Sequence, residues 1–188
     1  MRLKTLSVLL VLVLMASVIP TSLGNSNGRY SSGNGCGCHY GSSATVSMSG
    51  QPSAYVPGTT YTLSISVSNG VSGSAGGFSL EANKGTLTTG GSVGIMAVKV
   101  NSAGTSATHT TSSYRSWSVD WIAPSAGSGQ VQFKIAGMTA NGNGGTSGDA
   151  WSTTTITVPE GGQPPSNDPP SASNLQLSPS NPEPMDTL

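Results

Sequence analysis

The sequence predicts an all-β protein built around a single antiparallel β-sandwich of immunoglobulin-like form. Apolar side chains recur at every second residue in several short runs, as they do when one face of a strand is buried. Clusters of Gly, Asn, Pro and Ser separate these runs and supply tight turns. No window holds apolar residues at helical spacing for any length.

In chain order, residues 1–24 read as a secretory signal peptide. Arg2 and Lys4 open it, the uncharged run LSVLLVLVLMASVI follows, and Pro20 with the small residues TSLG closes it. That run is shorter than the roughly twenty residues that span a bilayer, so cleavage near Gly24 is expected, with no membrane span retained. The exported chain then carries five basic residues (Arg29, Lys84, Lys99, Arg115, Lys134) against seven acidic ones. It has no basic stripe to follow a phosphate backbone, which argues against nucleic acid as a partner.

Residues 25–43 form a glycine-rich arm that holds both cysteines of the chain, in NGCGCHYG. The sandwich is expected over residues 44–158. The clearest strands are TYTLSISVS, with Tyr61, Leu63, Ile65 and Val67 on one face, and SWSVDWIAP, with Trp117, Val119 and Trp121 on one face until Pro124 ends the run. VQFKIAG repeats the pattern through Val131, Phe133 and Ile135, and WSTTTITV closes the series. ATVSMS, GGFSLEA, GIMAVKV and SATHTT are weaker candidates, giving seven to nine strands in all. A segment of this length can bury an adequate core without disulfide support. Residues 159–173, rich in Pro and Gly, read as an exposed linker, because proline has no donor for a β-ladder. Residues 174–188 read as the first strand and turn of a second β-domain, cut short.

Three stretches together carry a family resemblance: the Cys-Cys-His segment before the first strand, SWSVDWIAP, and AGMTANGNGGTSGD ahead of the last strand. In these the chain resembles the secreted prokaryotic domains called choice-of-anchor V, which are similar in turn to the reeler domain at the N-terminus of reelin and related extracellular proteins. The resemblance spans about Gly35 to Val158. It implies a reeler-like β-sandwich, secretion and no settled catalytic activity. It also implies Cys-x-x-Cys-His in the arm, and here one residue is missing between Cys36 and Cys38.

The Cys36-Gly37-Cys38-His39 segment therefore admits several readings. Cys-x-x-Cys-His attaches c-type haem, with the thiols on the porphyrin edge and the histidine on iron. His109 would be the sixth ligand, with Met48, Met96 or Met138 as substitutes. The shortened spacing opposes attachment through both thiols. Zinc or copper is a second reading, since Cys36, Cys38, His39 and His109 make a Cys2His2 set by count, with His39 and His109 as its imidazole ligands. The third is an inert disulfide or thiol pair beside a solvated His39, although a Cys-Gly-Cys ring is small for ordinary disulfide geometry. His109 reads as an exposed strand-end or loop residue unless the fold carries it to His39.

Asn141, Asn143 and Asp149 in NGNGGTSGD offer oxygen donors for calcium, but a turn with positive φ at its glycines and Asp149 capping backbone amides fits them better. Trp117 and Trp121 share a face with Val119 and belong in the core, while Trp151 is undecided between core and binding platform. No enzyme is expected: there are no paired carboxylates in one predicted pocket and no phosphate-cradling loop, and a Cys38–His109 nucleophile pair lacks an activating helix. The expected role is a secreted or cell-surface interaction module whose partner is an extracellular protein or surface ligand. The rival role is a haem- or metal-binding redox domain.

Overall fold

The structure, a computed structural model, describes residues 24–35, 37–39, 41, 43–89 and 97–162. Apart from Gly24, the segment expected to be a signal peptide lies outside these residues, as do Cys36, Met96, most of the expected linker and the expected start of a second β-domain. Among the described residues nine strands form: β1 (Ala44–Ser49), β2 (Thr60–Asn69), β3 (Gly76–Ala82), β4 (Thr86–Thr88), β5 (Val98–Val100), β6 (Ser106–His109), β7 (Ser116–Ile122), β8 (Val131–Thr139) and β9 (Ala150–Val158).

They make two antiparallel sheets, one in the order β1-β2-β7-β4 and the other β5-β6-β3-β8-β9. Alternation decides which side chains meet between them. Leu63 and Ile65 of β2 oppose Val119 and Trp117 of β7, Tyr61 opposes Trp121, and Val67 opposes Val46 of β1; all but the half-buried Tyr61 are buried. Phe78, Leu80, Phe133 and Ile135 face them from the other sheet. Trp121 is the hub, edge-on to Phe133 at 4.9 Å and to Tyr55 at 5.6 Å, and stacked on Tyr61 at 5.8 Å. Its indole N–H donates to the Lys84 carbonyl at 3.0 Å, which removes the penalty of burying it. Each such side chain contributes about 1.5–3 kcal/mol by leaving water.

Hydrogen bonding continues past β9. The Tyr55 amide donates to the Pro159 carbonyl and the Gly161 amide to the Tyr55 carbonyl. The Glu160 carboxylate accepts the Gly127 and Gly129 amides of the β7–β8 connection, each at 2.7 Å. Those amides hold its carboxyl below the usual range.

The arm from Gly24 to His39 runs over the outer face of the five-stranded sheet. Ser31 and Ser32 donate their amides to the hydroxyls of Ser106 and Ser79, and Gly33 donates to the Glu81 carboxylate at 2.6 Å. Consequently β3 is buried on both faces for most of its length, not on alternate residues. Lys99 lies over the Tyr30 ring at 5.4 Å and adds a cation–π contact between arm and β5.

Candidate functional site

Between the arm and the sheet lies a cleft of about 200 Å³. Its origin is local. On the outward face, register aligns Gly77, Met138 and Trp151 in one row and Ser79 with Ala136 in the next. The small side chains of Gly77, Ser79 and Ala136 leave a floor that Met138 and Trp151 overlook. The arm closes over it through Asn25, Arg29, Gly35, Cys38 and His39. Gly35 rests on the six-membered ring of Trp151, where a Cβ would come within 2.9 Å of the ring.

His39 enters the cleft in a fixed orientation. Its Nδ1 is 2.7 Å from Oδ2 of Asp149, and the two side chains are only 11% and 2% exposed. The other oxygen of Asp149 accepts the Asn141 amide at 3.0 Å. Nδ1 donates to this carboxylate, so Nε2 is the ring nitrogen left to meet an occupant.

His109 is buried, 6% exposed, contrary to the exposed strand-end or loop position expected for it. It ends β6 opposite Val98 of β5, beside Phe78 and Trp117, and the arm covers it. The Phe78 amide donates to its Nδ1 at 3.0 Å, and the ring also hydrogen-bonds the Asn25 main chain. Burial pushes its pKa below the ordinary imidazole value; hydrogen bonding of the ring to the Phe78 carbonyl, 3.2 Å from Nδ1, and to the Asn25 main chain opposes this, and Lys99 adds to it. Gly77 makes room for the ring, since a Cβ there would lie 2.5 Å from Cε1.

Cys38, His39, His109 and Met138 thus border one cleft, which is what the haem and metal readings require of them. The two imidazoles differ in fitness. His39 keeps one nitrogen for a ligand, with the carboxylate partner common to metal-binding histidines, whereas His109 would have to give up main-chain bonds to ligate. Met48 faces the interior on β1 and is buried there. Among the described residues, no three His, Cys, Asp or Glu side chains converge to hold a metal ion.

The Asn141–Asp149 loop is built as a turn. Gly142, Gly144 and Gly148 have φ of 76–77°. Asn141 Oδ1 accepts the Asn143 amide and Asn143 Oδ1 accepts the Gly145 amide, so these oxygens serve the loop itself. Trp117 and Trp121 are core residues and Trp151 is a half-buried cleft wall. Asp149 as the partner of His39 was not legible, because the two lie 110 positions apart.

Comparison with known proteins gives a family match to the Reeler domain over residues 39–141, more than half of the 188-residue chain. The crystal structure of a human F-spondin reeler domain fragment is 22% identical, with 66% of this chain and 97% of that one aligned at a TM-score of 0.45. The Reelin-N domain of F-spondin is 21% identical, with 72% and 94% aligned at 0.46, and a second human F-spondin fragment is 21% identical, with 72% and 96% aligned at 0.46. No curated protein matches the chain. Asn25 to Cys38, Asp149 and Trp151 all lie outside the matched stretch, so the cleft joins a family sheet to flanking segments.

Proposed function

The chain belongs to the Reeler domain family, and on that premise we propose that it acts outside the cell as a non-catalytic binding module, serving interaction or adhesion. The observation that carries this reading is the arm-roofed cleft. It has apolar walls and a few placed polar groups, which is the make-up of a recognition site. Its two histidines are committed to holding the arm and loop: His39 bonds Asp149, and His109 bonds Phe78 and Asn25. The charged opening and apolar run of residues 1–24 support export. Among the described residues, no helix is long and apolar enough to cross a membrane. The test is to add fluorescently labelled, secreted protein to cells of the producing species. Saturable surface binding that unlabelled protein displaces is expected; uniform, non-saturable signal refutes the reading.

The His39–Asp149 pair favours a second reading, in which His39 ligates haem iron or a zinc or copper ion beside Cys38. When bound, such a group would supply electron transfer or a structural cross-link. A Soret band with a haem mass adduct, or stoichiometric metal by elemental analysis, supports it; colourless, metal-free protein of unmodified mass refutes it.

A further inference from the structure

We infer that the cleft binds one planar aromatic ring with a hydrogen-bonding group on its edge, a phenol or an indole. The inference deepens the binding-module reading, on which it rests, by naming the chemistry recognised.

Size sets the first limit. An apolar cavity of about 150 Å³ accommodates benzene, so a cleft of about 200 Å³ suits a substituted single ring or an indole and not a larger fused system. The walls set the second. Met138 offers a polarizable thioether, which makes favourable contacts at aromatic edges, and Trp151 offers an indole surface. The floor of Gly77, Ser79 and Ala136 carries no bulky side chain of its own, and the His109 ring, packed on Gly77, completes it.

The third limit is the fixed imidazole. A purely apolar pocket would need no such group at its rim. Here Asp149, itself 2% exposed at its side chain, anchors Nδ1 of His39 and leaves Nε2 for a hydroxyl or indole N–H at the ring's edge. Arg29 is exposed on the arm, and two further polar side chains of the cleft are already engaged. The Ser79 hydroxyl accepts the Ser32 amide, and His109 is held on both sides by the main chain.

The test uses the secreted protein and isotope-edited NMR titration with p-cresol, indole and toluene. p-Cresol and indole are expected to bind saturably at about millimolar Kd, with NOEs to the Met138 methyl and the Trp151 ring, and toluene at least several-fold more weakly. His39→Phe should abolish the preference for p-cresol over toluene while leaving toluene binding in place. Ala136→Leu should weaken every ligand by about tenfold or more by filling the floor. A further arm replaces p-cresol with N-acetyl-tyrosinamide: tighter binding identifies the source as a partner's side chain, and weaker binding identifies a free small molecule.

Absence of saturable shifts, NOEs elsewhere on the surface, or equal affinity for toluene and p-cresol overturns the inference. The NOE pattern of the unsubstituted protein decides it even if a variant fails to fold. Retained binding to cells with no aromatic ligand in the cleft would sink this inference and spare the module reading; the reverse result would sink the module reading alone.

Discussion

Asp149 is the residue whose removal tests the site most sharply. Its two carboxylate oxygens accept the Asn141 amide and the His39 Nδ1–H, in a side chain almost wholly withdrawn from water. A hydrogen bond to a charged group contributes about 1.5–3 kcal/mol, and two bonds to one carboxylate share its desolvation cost, so Asp149→Ala should destabilise the domain by about 3 kcal/mol. At about 2 kcal/mol per molar urea, typical of a domain this size, the unfolding midpoint should fall by roughly 1.5 M. Asp149→Asn separates the two bonds. Its amide oxygen can still accept from Asn141, while its NH2 faces Nδ1 and forces the proton to Nε2. It should cost about 1 kcal/mol and reverse the His39 tautomer, visible in imidazole 15N shifts. The reasoning is refuted if Asp149→Ala moves the midpoint by less than a few tenths molar, or if Asp149→Asn leaves the tautomer unchanged.

Other outcomes follow from the same contacts. His109 has a folded pKa below its unfolded value, so its contribution is complete above about pH 6.5 and declines as pH falls toward the folded pKa. Urea midpoints measured from pH 8 to 5 should drop in the wild type and drop less in His109→Gln. Glu160 is shifted in the same direction for a carboxyl reason; its clasp should hold above the ordinary Glu range and fail as pH falls through the lowered folded value, a fall that Glu160→Gln removes from acid titrations. Gly77→Ala places a methyl 2.5 Å from the His109 ring and should cost about 1–3 kcal/mol in thermal unfolding, since both backbone partners hold the ring in place.

Alternation made the long strands readable, because a ten-residue run such as β2 repeats its period several times and a partner strand such as β7 repeats it again. Three residues carry no period, and β4, with Leu87 as its single buried residue, was invisible for that reason. SATHTT yielded a strand but not its environment. His109 is covered by β5 and by an arm more than seventy positions earlier, and nothing near it in sequence announces either. Asp120 illustrates the same limit: it lies on the outward side of β7, yet is buried and accepts the Thr62 hydroxyl at 2.7 Å. Cys38 and His39 drew attention as chemistry, but the cleft they border exists because Gly77, Ser79 and Ala136 are small, a pattern that reads as weak strand sequence until register aligns it.

The contacts around Tyr55 have a mechanical consequence. β9 pairs with β8 in an antiparallel ladder whose last rung joins Val158 to Val131, so tension on the outgoing chain would otherwise open that ladder like a zipper, one rung at a time. Instead the pull reaches Gly161, Glu160 and Pro159 first, which are fastened to Tyr55 through the backbone and to Gly127 and Gly129 through the carboxylate. Those bonds lie between the outgoing chain and that last rung, so a pull along that chain meets them before it loads the ladder.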